Sequence, residues 1–202
     1  MICIAGKNEI AVYSIQLLLN RGFKKKEITV LTNKYDKGFH EWQPSFRKYC
    51  RDNDIKESKL EDLYNISDLI FISLEYDRII KTDLFKSKNL FNIHFSLLPA
   101  YKGMFTSIYP ILRGEKSSGV TLHKIDSGID TGDIIDQIEF DLKFGITGLK
   151  LYKLYIKYSK ELLDNNINKI INLRFNSIQQ PIVGASYFSN KSIDFKGIKI
   201  DF

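Results

Sequence analysis

Asn92-Ile93-His94 sets an amide and an imidazole two residues apart at the end of an apolar run. Side chains of a strand alternate between faces, so Asn92 and His94 project the same way near the carboxyl end of a strand, where open α/β sheets bind ligands. Such a pair can polarise a carbonyl and move a proton. It can equally do no more than satisfy backbone groups of the following loop, and the spacing leaves both open. Further on, Gly119-Val120-Thr121-Leu122-His123 leads into Asp126-Ser127-Gly128-Ile129-Asp130-Thr131-Gly132-Asp133, a loop dense in carboxylates and glycines. The alternating oxygen ligands and terminal Glu of a calcium loop are missing from it, so no metal is expected. Any one of these acids taken alone could be a solvated turn residue.

Strands and helices must bring these blocks together, and the hydrophobic pattern supplies them. Residues 1–5 are a short apolar run ending in Gly6, and Ile10, Val12, Ile15, Leu17, Leu18 and Leu19 then recur at helical spacing up to Arg21-Gly22. Residues 27–32 and 68–74 read as further strands, the second without a polar break, as for a strand buried on both faces. A strand at 90–94 follows a short helix predicted at 82–88 with Thr82 or Asp83 as its cap. Strands and helices therefore alternate as in a parallel doubly wound sheet, and the fold class is α/β and Rossmann-like. Residues 119–124 and 134–140 lie too close together for another crossover and predict a mixed edge to the sheet. Leu151, Leu154, Tyr155, Tyr158, Leu162 and Leu163 form an apolar stripe on a long helix over about 148–173. No linker or repeat divides the chain, so 1–176 is expected to be the catalytic domain and 177–202 a tail. That tail carries Ile193, Phe195, Ile198, Ile200 and Phe202 in a hairpin-like pattern that would cover the sheet or pair with a second subunit.

The turn Gly6-Lys7-Asn8-Glu9 has one glycine where a dinucleotide fingerprint needs three, which disfavours NAD or FAD. It still sets backbone N–H groups and Lys7 at the start of a helix, suited to a substrate phosphate. An ordinary tight turn with an exposed lysine fits as well.

In order, the chain carries Asn92-Ile93-His94, Ser96-Leu97-Leu98-Pro99, Gly119-Val120-Thr121-Leu122-His123 and Asp126 through Gly132. Together they resemble the folate-dependent formyltransferase superfamily, whose catalytic region reads Asn-x-His, Ser-Leu-Leu-Pro, Gly-Val-Thr-x-His and Asp-x-Gly-x-Asp-Thr-Gly. Trp42-Gln43-Pro44-Ser45-Phe46, the loop from Leu74 to Ile80 and the His94-Phe95-Ser96 sequence look most like the sugar N-formyltransferases within it. The resemblance implies a Rossmann-like formyltransferase fold and a catalytic trio of Asn92, His94 and Asp130, with His123 beside them. It implies 10-formyltetrahydrofolate as donor, its pterin held by Leu74, Tyr76, Asp77, Arg78 and Ile79 and by Ile129, Thr131 and Gly132. The acceptor it implies is a dTDP-4-amino-4,6-dideoxyhexose of the glucose type, used in surface polysaccharide synthesis and held by Lys7, Asn8, Phe95 and Tyr101. Other acceptors for the same donor, methionyl-tRNA or glycinamide ribonucleotide, remain as alternatives, as does a non-catalytic nucleotide- or folate-binding module.

The 202 residues, with 44% hydrophobic and 27% charged, are ordinary globular usage and suffice for one core. The net charge of +6 suits an anionic partner, yet lysines and acids are interleaved and the longest basic run is Lys24-Lys25-Lys26, so no nucleic acid partner is expected. No membrane span or leader is expected, and the location expected is cytoplasmic. Cys3 and Cys50 are expected to be buried thiols. The superfamily's habit of pairing, with the apolar tail, suggests a homodimer.

Overall fold

The structure, a computed structural model, describes residues 1–189 and Lys191. β1 (Ile2–Gly6) is followed by α1 (Asn8–Asn20), β2 (Ile28–Thr32), α2 (Phe46–Asp52), the short β3 (Lys56–Glu57), β4 (Ile70–Leu74) and β5 (Leu90–His94). Then come β6 (Lys102–Gly103), the single-turn α3 (Tyr109–Leu112), β7 (Ser117–Lys124), β8 (Ile134–Asp141), the long α4 (Gly148–Ile171) and β9 (Tyr187–Phe188). One sheet runs β3-β2-β1-β4-β5-β7-β8, parallel from β3 through β5 and antiparallel at β7 and β8. This is the Rossmann-like α/β fold with the mixed edge that the crowding of 119–124 against 134–140 implies.

Both faces of the parallel part are buried, which is why its strands are unbroken apolar runs. In β1, Ile2 and Ile4 join one core with Ile10, Ile15 and Leu18 of α1, Phe46 and Cys50 of α2, and Leu151, Tyr155 and Ile167 of α4. Cys3 and Ala5 face the other way, into a second core with Leu31, Phe71, Leu60, Leu63 and Phe85. Each such Ile, Leu or Phe contributes about 1.5–3 kcal/mol by leaving water. Along α4, Leu151, Tyr155, Leu162 and Leu163 are buried and Leu154 and Tyr158 pack on the same core, so the predicted stripe is structural. Thr147 caps the helix, its Oγ1 accepting from the Lys150 N–H at 3.3 Å. Both cysteines are free and buried.

The helix predicted at 82–88 is not there. Only a 3-10 turn at Thr82–Leu84 forms, preceded by Lys81, and neither Thr82 nor Asp83 caps it. Tertiary bonds claim the groups that would have continued it. The Lys86 N–H donates to the Tyr64 carbonyl at 2.8 Å, Ser87 Oγ donates to the Leu69 carbonyl at 2.6 Å, and the Asn89 N–H donates to Ser87 Oγ at 3.1 Å. The second core is therefore covered by short turns and loops, while α1, α2 and α4 all pack on the first.

Residues 177–189, assigned with the tail on sequence, are bonded to strands and loops of the main body. Ile178 bridges Ile134, and β9 lies parallel to β6. The apolar residues Ile193, Phe195, Ile198, Ile200 and Phe202 of the expected hairpin lie outside the described residues. Among the described residues no helix is long and apolar enough to cross a membrane.

Candidate active site

In β5, Phe91 and Ile93 join the first core and Leu90 the second, so Asn92 and His94 project from the second face. That face is apolar at Leu90 and Phe71 and turns polar toward the strand ends, at Ser73, Asn92 and His94. The antiparallel register sets His123 directly opposite Asn92 and Thr121 opposite His94. Thr121 Oγ1 donates to the Ser96 carbonyl at 2.7 Å and accepts from the Leu98 N–H at 3.1 Å. Gln137 Nε2 donates to that hydroxyl at 2.8 Å and to the Leu98 carbonyl at 3.0 Å. The Gly-Val-Thr strand thus holds the Ser-Leu-Leu-Pro loop in place beside His94.

The loop after β7 folds back over the same face. Its Ile125 N–H donates to the Leu90 carbonyl at 2.8 Å, and Asp126 Oδ1 closes the turn by accepting from the Gly128 N–H at 3.1 Å and Thr131 Oγ1 at 2.6 Å. A side chain at Gly132 would run into the Lys124 carbonyl. Asp130 adopts a left-handed backbone, φ 54°, which turns its carboxylate back toward the strands.

Four side chains meet there. Asp130 Oδ2 accepts from the Gly103 N–H at 2.9 Å and lies 3.5 Å from His94 Nδ1. Asp130 Oδ1 accepts from Asn92 Nδ2 at 3.3 Å and lies 3.5 Å from His123 Nε2. Asn92 Nδ2 also donates to His123 Nε2 at 3.1 Å, because His123 Nδ1 faces the Lys124 carbonyl at 2.7 Å and carries the proton. His94 Nε2 faces the Tyr101 carbonyl at 2.8 Å and so donates to it, which leaves Nδ1 of a neutral ring unprotonated beside the carboxylate.

Burial pushes the His94 imidazole below its ordinary value, with Asp130 working against the shift. Burial would raise Asp130, but His94, His123 and the Gly103 N–H outweigh it and hold this carboxyl well below the usual range. Near neutral pH the pair is a neutral base beside an ionised carboxylate.

These groups line a cavity of about 670 Å³ at the carboxyl ends of the strands. Of the sequence-predicted residues, Tyr76, Asp77, Arg78, Ile79, Ile129, Lys7 and Phe95 line it together with Asn92, His94 and Asp130. Leu74, Thr131 and Gly132 stand behind the wall, Leu74 in the first core and the other two in the loop turn. Asp77 also accepts from the Lys34 N–H at 2.8 Å, and Arg78 pairs with Glu61 at 3.4 Å. Asn8 donates to Tyr152 Oη at 3.1 Å. Tyr101 contributes its carbonyl to His94, while its ring stacks on Phe188 and its hydroxyl donates to Glu115, away from the cavity.

Several lining residues were not singled out from the sequence, Glu75 among them although it falls in the loop from Leu74 to Ile80. Glu75 lies in the cavity wall, accepts from Tyr152 Oη at 2.8 Å and sits 3.8 Å from Lys7 Nζ. Burial raises its carboxyl above the ordinary value, against the pull of Lys7, Tyr152 and Asn8. An acid immediately after a fully apolar strand was the signal that could have found it. Met104, Phe105 and Thr106 also line the cavity. Trp42 stands 70% exposed, its ring centroid 5.8 Å from that of Tyr152. Among the described residues no group of three His, Cys, Asp or Glu could hold a metal ion.

At the carboxyl end of a Rossmann-like sheet, an amide, two imidazoles and an ionised carboxylate thus converge, groups able to donate to an oxyanion and to move a proton. The chain belongs to the formyl transferase family, whose N-terminal domain matches residues 17–167. Two solved sugar N-formyltransferases align with all of it at a TM-score of 0.96. The N-formyltransferase from Helicobacter canadensis, in complex with folinic acid and dTDP-3-aminofucose, is 48% identical, with 74% of its own chain covered. WlaRD, a sugar 3N-formyl transferase in the presence of dTDP and 5-N-formyl-THF, is 52% identical with 73% covered. The bifunctional polymyxin resistance protein ArnA of Wigglesworthia glossinidia brevipalpis is 28% identical over 94% of this chain and 31% of its own length. The chain spans less than half the length of the first curated relatives it matches.

Proposed function

We propose that this protein transfers a formyl group from 10-formyltetrahydrofolate to the amine of a dTDP-linked amino sugar. The observation that carries the proposal is the Asp130-centred cluster, set in an open cavity of about 670 Å³. The wall of Tyr76, Ile79, Ile80 and Ile129 offers the apolar surface a pterin needs, and folates are named with both close structural neighbours. Lys7, at the N-terminus of α1 and 3.8 Å from Glu75, suits a pyrophosphate. Glu75, Phe95 and residues 104–106 border the remaining space for the sugar.

The donor supplies a formyl carbon for the amine to attack. As the carbon–nitrogen bond forms, the amine must lose a proton, and His94 Nδ1 is the unprotonated nitrogen that takes it. Asp130 stabilises the resulting imidazolium, which then protonates the leaving nitrogen. Negative charge on the formyl oxygen needs a donor, and Asn92 supplies one by releasing its longer 3.3 Å bond to Asp130. His123 keeps the other Asn92 N–H, and with it the amide plane, in place. No nucleophilic side chain is required, and Cys3 and Cys50 lie buried in the two cores.

Both close neighbours are named with a 3-amino sugar or a 3N activity, so the acceptor proposed is a 3-amino sugar. The 4-amino, glucose-type sugar expected from sequence is the second arm of the test. Purified protein is incubated with the folate donor and a panel of dTDP-3-amino and dTDP-4-amino sugars, with initiator methionyl-tRNA alongside, and the products are weighed. Gain of one formyl group on the 3-amino sugar is expected. Formylation confined to the tRNA, or to none, would overturn the proposal. The same reading holds that two copies pair, and light scattering at micromolar concentration checks it.

A further inference from the structure

Gln180 lies beyond α4, in the stretch that sequence alone assigns to the tail, yet it reaches the catalytic loop. Its Nε2 donates to the Asp130 carbonyl at 2.9 Å and to the Gly132 carbonyl at 2.8 Å. Among the described residues its buried Oε1 has no partner, and both bonds that hold this side chain come from the amide nitrogen. The first of these carbonyls belongs to Asp130 itself, whose backbone is left-handed, and the second lies two residues further along the same loop. On either side of Gln180 the chain is tied down. Ile178 exchanges two backbone bonds of 2.8 Å with Ile134, and Ser186 accepts from the N–H groups of Tyr101, at its Oγ, and Lys102, at its carbonyl, each at 2.8 Å. The Tyr101 carbonyl and the Gly103 N–H are the groups that hold His94 Nε2 and Asp130 Oδ2.

We infer that Gln180 is a positioning residue for the proposed reaction, fixing the Asp130 backbone so that its carboxylate faces His94 Nδ1. The inference rests on the catalytic assignment of Asp130 and His94. A left-handed aspartate is held only while its surroundings over-determine it, and two carbonyls pinned by one amide do that. Without the pin the loop relaxes and the carboxylate retreats. A displacement near 1 Å at a reacting group costs about a hundredfold in rate. Among the described residues, the charged and titratable groups facing His94 are Asp130 and His123. Losing the nearer carboxylate therefore makes the ring harder to protonate.

The test is steady-state kinetics on the full chain with Gln180→Met, which keeps the volume and removes both donations. Gln180→His, which keeps one N–H, serves as a second variant, and folding of each is checked by circular dichroism. The expected result is a kcat lowered about 10–100-fold with the KM of both substrates within about threefold, and an acid limb of kcat/KM moved to lower pH. Gln180→His is expected to fall between, with the limb moved in the same direction. Ile178→Ala, which removes an exposed side chain and leaves the backbone bridge, should match wild type. A folded Gln180→Met or Gln180→His with a wild-type rate and pH profile would overturn the inference. Asp130→Asn is run alongside. If it is inactive while Gln180→Met is normal, only the clamp falls; if it keeps the wild-type rate, the catalytic assignment falls and the clamp with it.

Discussion

His94 and Asp130 face one another at 3.5 Å, Nδ1 to Oδ2, while the far nitrogen of the same ring donates to the Tyr101 carbonyl at 2.8 Å. The carbonyl decides the tautomer, so the nitrogen beside the carboxylate is the one that can take a proton. Burial keeps the ring neutral, and the carboxylate waits for the charge that arrives with the proton.

The pH dependence follows from that pair. The His94 pKa is lowered from 6.5, so activity that needs the neutral ring is lost only as pH falls below that value. Asp130 stays ionised through this range and adds no second limb. A profile of kcat/KM should show its acid limb below pH 6.5. Stability carries the same sign: the unfolded chain protonates this histidine first, so the melting temperature should begin to fall as pH drops through 6.5. An acid limb above pH 7 would contradict the neutral-ring assignment.

Removing the acid–base pair should cost far more than weakening a substrate contact. His94→Asn and Asp130→Asn are expected to lower kcat by about 10²–10⁴. Asn92→Ala is expected to cost about 10²–10³. Circular dichroism should show native spectra for all three, and a single variant with a near wild-type rate would remove that residue from the mechanism.

Lys7 tests the acceptor side. A lost charge-assisted bond to phosphate is worth about 1.5–3 kcal/mol, roughly 10–150-fold. Lys7→Ala should therefore raise the KM for the nucleotide sugar by about that factor, with kcat and the KM for the folate close to wild type. An unchanged sugar KM would place the pyrophosphate elsewhere.

Gly132 tests the loop's packing. A side chain there meets the Lys124 carbonyl, a backbone atom that cannot swing aside. Gly132→Ala should cost about 1–3 kcal/mol, the scale of overpacking. For a domain of this size that is a loss of roughly 2–12 °C in Tm by calorimetry, at about 2–4 °C for each kcal/mol. An unchanged melting temperature would mean that the loop yields freely.

Much of this site was legible because its parts are local. Asn92 and His94 share a face because strand side chains alternate, and β1, β2, β4 and β5 were readable because a strand buried on both faces must be apolar throughout. Asp126 and Thr131 close their own turn within six residues of chain, so that motif carries its geometry with it. The long apolar stripe of α4 was readable as one face of a helix for the same reason: its period belongs to the helix alone.

Contacts between distant segments left no such mark. The helix expected at 82–88 gave way because Tyr64 and Leu69, remote in sequence, offered its backbone and Ser87 better hydrogen bonds. Glu75 meets Tyr152 across 77 positions, and Gln180 reaches Asp130 across 50. Nothing in the residues beside a glutamate or a glutamine says which carbonyl or hydroxyl will be within 3 Å of it once the sheet has formed. Periodicity and turn chemistry act over a few residues, so the sequence by itself determined the strands, the stripe and the closing turn of residues 126–131, while the role expected of Asn92, His94 and Asp130 came from the resemblance their motifs carry. Which tautomer His94 holds, which way the Asp130 carboxylate turns, and that residues 177–189 stand behind both, depend on pairings that exist only when the folded chain brings those groups together.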